Sequence, residues 1–488
     1  MTSETDLAWT PGWRLRDMFA AKQLSPLEFA DMLLARVERH ADLGAFVTVF
    51  DDFYRDQAKA ATEAYARGED LPPLAGLPVS LKDSVFTKGQ RTTYGSLLFK
   101  DHIPETDAVA AERLRDAGAI FFGKTNLPEF ELNRRSVNLL GRETVNAWNR
   151  RHTSGGSSGG AGVAVSAGLG PLGIGTDGGG SIRIPSSFSG IFGLQPGRGR
   201  VPDGLWPIQL VSSVIGPMTR DVRDAAMLME VMACCDARDP RTRTDAPPDY
   251  LGRLDDGIAG VRIAWSGDLG RVIPDEPEVV SICHDAAQTF RKLGASYSEP
   301  SFRFEDPFDE LELDGDYAKY KMSAFSKEML PGSLDPISYV YSLPREQQGL
   351  ATIYIRDRSD RPTGLEYTLS IKPEVRNRAR THIDDFFKEH DLLLCPVIGN
   401  TAFECGSSNM TPFQYTAYTF ITNLSGYCGA SVPAGFHKGM PVGLQIMGRP
   451  NEEDLVLRAA RAFERERPWA HLRPPVPNDP KHKFRIRH

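Results

Sequence analysis

The chain has 488 residues, of which 41% are hydrophobic and 25% charged, and its 57 Lys and Arg against 64 Asp and Glu leave a net charge of −7. Such a composition belongs to an ordinary folded globular protein and excludes a low-complexity or disordered chain. The acidic balance also argues against a protein built to hold phosphate backbones, so no nucleic-acid partner is expected.

No stretch supplies the ~18 apolar residues of a membrane span. The N-terminal MTSETDLAWTPGW lacks the basic start and apolar run of an export signal. The six cysteines, Cys234, Cys235, Cys283, Cys395, Cys405 and Cys428, have no C-x-x-C spacing. These features predict a cytoplasmic protein with reduced thiols, no membrane partner and no metal. The basic tail from Lys481 to His488 reads as a solvated terminus.

In chain order, Ser25-Pro26 opens an amphipathic helix over 26–41, and a second helix is expected over 52–66. LAGLPVSLKDSV, 74–85, ends in a short β-like run that delivers Lys82 and Asp83 directly after apolar residues. Residues 107–117 read as a helix, Ala119 to Phe122 as a buried strand and GKTN, 123–126, as a turn. The glycine-rich tract then reads as loop, helix (about 159–168), strand (about 171–176) and loop, an α/β pattern. Further on, 221–233 is a helix, 259–268 a strand and 277–293 a helix. The stretch from about 300 to 375 is richer in Tyr, Asp, Arg and Pro and reads as an inserted helical and loop region covering a site. Residues 391–398 form a buried strand, 430–436 and 441–448 two more around the turn HKGM, and 452–465 a closing helix. Because α/β elements lie on both sides of the irregular stretch, one domain spanning 1–488 with a variable insertion is expected, with no internal repeat.

Three short patterns mislead. GAIFFGKT, Gly118 to Thr125, fits the phosphate-loop spacing, but Ala-Ile-Phe-Phe reads as a strand whose N–H groups serve a sheet ladder. GLGPLG and GIGTDG fit G-x-G-x-x-G without opening a βαβ unit. GGSSG, 155–159, fits a nucleophile elbow but follows the polar AWNRRHT where the elbow needs a strand.

The most informative segment is Ser154 to Ser181, SGGSSGGAGVAVSAGLGPLGIGTDGGGS. Two dense glycine clusters, Gly155–Gly160 and Gly178–Gly180, bring small serines against backbone N–H groups, as acyl transfer requires of a nucleophile and its oxyanion site. A flexible linker would not carry the interruptions AVSAGL and PLGI.

Together with LPVSLKD (77–83), GKTNLPEF (123–130), GGSSGG (155–160), GIGTDGGGSIRIPSSFSGIFGLQP (173–196), IGPMTRDVRDAA (215–226) and SVPAGFHKGMPVGLQIMG (431–448), this tract resembles the amidase signature family. The resemblance implies an α/β fold with a large twisted mixed β-sheet covered by helices on both faces. It also implies a Ser-Ser-Lys triad in which Ser181 is the nucleophile, Ser157 the bridging serine in a cis peptide with Gly156, and Lys82 the general base. A serine hydroxyl must lose its proton as it attacks, and a lysine accepts it only when neutral, a state that burial favours. The N–H groups of Gly178, Gly179, Gly180 and Ser181 are expected to form the oxyanion hole. Asp177 and Arg183 match positions that fix this loop, and Ser158, Asn126 and Thr153 are supporting candidates. Glu131, Asn133 and Trp206 are candidate substrate-binding residues.

The chain departs from the family at Ala161, often serine, and at Gln195 and Gly197, where Lys and Thr are common. None of these is a catalytic position. The resemblance implies hydrolysis of an aryl or short aliphatic amide, or of a carbamate or ester, through an acyl-enzyme without a cofactor, by a monomer or homodimer. The alternative is the catalytic A subunit of a glutamine-dependent aminoacyl-tRNA amidotransferase. Against it stand VSSVIGP at 211–217, where such amidotransferases commonly have SLDQIGP, and no tyrosine-rich helix near 365–380.

Overall fold

Local chemistry starts the first predicted helix as the sequence dictates. In the computed structural model, which describes residues 2–3, 7–204, 213–304, 373–406, 412–475 and 483–484, helix Pro26–Arg39 opens with a reciprocal cap. The Glu28 N–H donates to the Ser25 hydroxyl at 3.1 Å, and the Ser25 N–H to the Glu28 carboxylate at 2.8 Å.

The strands are β1 (Thr2–Ser3), β2 (Phe46–Val49), β3 (Pro78–Lys82), β4 (Ile120–Thr125), β5 (Leu172–Asp177), β6 (Phe192–Gln195), β7 (Val214–Thr219), β8 (Arg262–Trp265), β9 (Ser296–Ser298), β10 (Leu392–Pro396), β11 (Cys428–His437), β12 (Met440–Gly448) and β13 (Lys483–Phe484). Eleven of them form one mixed sheet in the order β2-β4-β3-β5-β7-β6-β11-β12-β10-β8-β9, while β1 pairs with β13. Strand β3, between β4 and β5, runs parallel to both, so their C-terminal ends meet on one edge. Every residue of β3, β4, β5, β6, β7, β10 and β12 is buried. Full burial of alternating side chains requires cover on both faces of the sheet.

Several expectations needed correction. The segment read as the turn GKTN continues β4 to Thr125, and Gly123 lies opposite Val49 in the ladder with β2. A Cβ at Gly123 would stand 2.9 Å from the Thr48 carbonyl, so this glycine serves close strand approach instead of a turn. The same ladder uses the N–H groups that a phosphate loop would need. The helix over 277–293 is divided into Pro277–Ala287 and Thr289–Lys292. The last helix, Glu453–Glu466, is followed by β13. Most of the stretch from 300 to 375 lies outside the described residues.

The loop after β5 is held by a buried ion pair. Asp177 and Arg183, both with fully buried side chains, meet through Nε–Oδ2 at 3.0 Å and Nη2–Oδ1 at 2.9 Å. Asp177 also accepts from the N–H groups of Gly180 at 2.6 Å and Ile182 at 3.0 Å. Arg183 reaches on to Thr419 O, Thr422 Oγ1, Gln445 Oε1 and Asn423 Oδ1, tying the loop to helix Phe420–Ser425 and to β12. Burial alone pushes the Asp177 carboxyl up, but the charge and hydrogen bonds of Arg183 outweigh it and hold the group below the usual carboxylate range.

Removing one partner strands the other charge in the interior. Asp177→Ala is therefore expected to cost about 3–5 kcal/mol of stability, read as a lowered denaturation midpoint. Arg183→Lys should cost less, since it keeps the charge while losing the fork.

Candidate active site

Lys82 closes β3, and its side chain is fully buried. Its Nζ lies 2.6 Å from Ser157 Oγ, 2.6 Å from Thr176 Oγ1 and 2.9 Å from Glu131 Oε1. The parallel pairing with β5 explains the Thr176 contact. Leu81 pairs with Ile174, and Thr176 stands two residues further toward the same edge. Thr176 Oγ1 donates to Glu131 Oε1 at 2.5 Å, and Ser84 Oγ donates to the same oxygen at 2.8 Å.

The neighbouring charged residues point elsewhere. Asp83 accepts from the Thr93 N–H and hydroxyl, and burial raises its carboxyl to about 6. Lys124 on β4 donates to Val85 O and Thr87 Oγ1, and burial lowers its amine to about 8.

The Gly156–Ser157 peptide is cis, as the resemblance implies. Tyr415 grips the Gly156 residue from both sides. Its hydroxyl accepts from the Gly156 N–H at 2.9 Å and donates to the Gly156 carbonyl at 3.1 Å. Ser136 Oγ donates to Gly155 O at 3.0 Å and accepts from the Gly159 N–H at 3.1 Å. Ser158 Oγ donates to Thr176 O at 3.0 Å, locking the serine turn to β5. The Ser158 N–H donates to Ser181 O at 3.1 Å, which sets residues 157 and 181 in adjoining loops.

In the Gly178–Ser181 loop, Thr419 Oγ1 donates to Gly179 O at 2.6 Å and the Gly180 N–H points inward to Asp177 at 2.6 Å. Of the four expected oxyanion donors, Gly180 is therefore committed to the scaffold. Asn126 braces the loop beneath, donating to Gly44 O and Arg142 O and accepting from the Leu127 N–H. Thr153 Oγ1 accepts from the Gly155 N–H at 3.1 Å. Asn133 is exposed and its side chain accepts from the Arg135 N–H. Trp206 lies outside the described residues. Glu131, expected at the substrate, stands instead in the lysine cluster.

Thr176, Tyr415, Ser136 and Thr419 were not singled out from sequence. Thr176 sits inside the GIGTDGGGS block one residue before Asp177, a position from which its contact with Lys82 was in principle legible. The others come from loops with no diagnostic spacing. Among the described residues, no group of three or more His, Cys, Asp or Glu is placed to hold a metal ion, and no helix is long and apolar enough to cross a membrane.

Comparison with known proteins follows the same core. The sequence model of the family described as Amidase matches residues 28–457. The A subunit of the glutamyl-tRNA(Gln) amidotransferase of Anaeromyxobacter dehalogenans (strain 2CP-C) is 36% identical, over 92% of this chain and 94% of its own. An acylamidase from Rhodococcus erythropolis is 33% identical, over 97% of this chain and 98% of its own. Among solved structures, the native peptide amidase from Stenotrophomonas maltophilia superposes with a TM-score of 0.80 at 28% identity, covering 94% of this chain and 96% of its own. Sequence match and fold agree: the chain belongs to the Amidase family, the amidase-signature hydrolases.

Proposed function

We propose that the chain hydrolyses the C–N bond of an aryl or short aliphatic carboxylic amide in the cytoplasm, through an acyl-enzyme on Ser181. The observation that carries this reading is the 2.6 Å hydrogen bond between the fully buried Lys82 amine and Ser157 Oγ, beside the loop that presents Ser181. In this mechanism Ser181 Oγ attacks the amide carbonyl while its proton passes to Ser157 and the Ser157 proton passes to the neutral Lys82 amine. The oxyanion is held by N–H groups of Gly178, Gly179 and Ser181, each donor contributing about 3–4 kcal/mol in the transition state. Lys82 returns a proton through Ser157 to the leaving amine, and water then attacks the acyl-enzyme by the same route. The C–N bond breaks, one water is consumed, and carboxylic acid and amine leave. The same steps serve a carbamate or an ester.

A second reading, the catalytic component of a tRNA amidotransferase, is favoured by the Anaeromyxobacter relative. The two separate on one experiment. Turnover of a panel of simple amide, anilide, carbamate and ester substrates by the isolated chain supports free-standing hydrolysis. Absence of turnover, with ammonia transfer once the other components of an amidotransferase are supplied, supports the second reading.

Ser181→Ala should abolish turnover and covalent labelling by a fluorophosphonate. Ser157→Ala and Lys82→Ala should each lower kcat/KM by at least about 10²-fold, as loss of general acid-base assistance does. Full activity in Lys82→Ala would refute the base. Gly180→Ala should also depress kcat, because Gly180 has φ +131° and a Cβ there would stand 2.4 Å from Thr419 Oγ1. Steady-state kinetics on the best panel substrate checks each.

A further inference from the structure

The contacts of the Lys82 amine include two hydroxyl oxygens and one carboxylate oxygen. Lys82 as an ammonium has three N–H donors and no acceptor, which suits Ser157 Oγ at 2.6 Å, Thr176 Oγ1 at 2.6 Å and Glu131 Oε1 at 2.9 Å. The Glu131 side chain is only 12% exposed. Its Oε1 takes hydrogen bonds from Thr176 at 2.5 Å and Ser84 at 2.8 Å in addition to the lysine contact, and donors converging on a carboxylate favour its ionised form.

The backbone is bent to bring this side chain in. Phe130 and Glu131 adopt successive left-handed conformations, with φ of 52° and 66°. Such a conformation is unfavourable for a residue with a Cβ and persists only where the surroundings enforce it.

We infer that Glu131 is a positioning residue of the relay, stabilising Lys82 as the ammonium in the resting protein and setting the pH above which that nitrogen takes the Ser157 proton. The inference rests on the hydrolytic reading above and adds to it the control of the base. Of the other charged groups on the packed elements, Asp83, Lys124, Asp177 and Glu129 are engaged with partners of their own. On β3, Asp83 faces Thr93, and on β4 Lys124 faces Val85 O and Thr87. At the end of β5, Asp177 is held by Arg183. In the 129–131 turn, Glu129 accepts from Ser96 Oγ at 2.8 Å, and Arg134, half-buried in the loop that follows, is lowered by desolvation. Glu131 is the carboxylate that meets the amine at ion-pair distance.

An anion beside an amine favours the protonated form, so Glu131 moves the acid limb of Ser181 reactivity to higher pH, and neutralising it moves that limb down. A close opposite charge is worth about 1–3 pH units.

The test is the second-order rate of Ser181 labelling by a fluorophosphonate across pH 6–10, in full-length wild type, Glu131→Gln and Glu131→Asp. The midpoint for Glu131→Gln is expected at least about one pH unit below wild type. Glu131→Asp, whose shorter side chain withdraws the charge, is expected to shift it in the same direction by less, and this variant carries the test if Glu131→Gln does not fold. A purely structural role would lower the plateau rate and leave the midpoint in place. Unchanged or raised midpoints would overturn the inference, as would a folded Glu131→Gln that labels at no pH. Lys82→Ala, run in parallel, separates the two failures. Wild-type labelling in that variant removes the relay itself, whereas loss of labelling there with unmoved Glu131 midpoints removes only the role of Glu131.

Discussion

A lysine amine with no exposure to water must find all of its partners inside the protein, and that requirement organises this molecule. Lys82 stands at the end of a strand whose every residue is buried, and its amine is met by Ser157, Thr176 and Glu131. Those partners come from three different segments. Placing them together demands a parallel β3–β5 pair, a serine loop bent against β5, and a turn at 130–131 that runs through left-handed backbone. A buried polar cluster of this kind is stable only when its members are satisfied, so the geometry of the amine constrains the path of the surrounding chain.

The loop that presents Ser181 is governed by a second buried charge system, and the two share β5. Asp177 ends that strand, next to Thr176, which touches Lys82. Through Arg183 the same aspartate reaches residues 419, 422, 423 and 445, so a C-terminal helix and strand β12 fix the backbone of the loop that carries Ser181. Tyr415 extends the arrangement to Gly156 on the other serine loop. The two serine loops are thus held from the C-terminal part of the chain, while the amine is delivered from the N-terminal part. Their geometry depends on the whole sheet being formed.

Much of this was legible before any coordinates. The apolar run ahead of Lys82 marked a buried strand, the Ser25-Pro26 start marked a helix, and Ala-Ile-Phe-Phe identified a strand where a phosphate loop was spelled. The resemblance added the cis peptide and pointed to Ser157, which meets the Lys82 amine. What escaped reading has physical causes. Strands β6 and β7, FGLQ and VIGPMT, carry glycine or proline that weakens any strand signal. GKTN looked like a turn because a glycine required for close strand approach has the same letter as one required for a bend. Tyr415 lies 259 positions from Gly156, and the partners of Arg183 other than Asp177 lie more than 230 positions from it, with no spacing that joins them. Glu131 was read as facing substrate because a lone carboxylate in a loop carries no mark of which way a left-handed turn will aim it.

Whether the Lys82 nitrogen is the proton acceptor behind Ser181 can be read from that nitrogen's own titration. In protein carrying ¹³C-labelled lysine, with the Lys82 resonance assigned through Lys82→Arg, the ε-carbon shift reports whether the amine is charged. This resonance is expected to titrate with the same midpoint as the pH dependence of Ser181 reactivity. A Lys82 that stays charged throughout the pH range in which Ser181 reacts would contradict it.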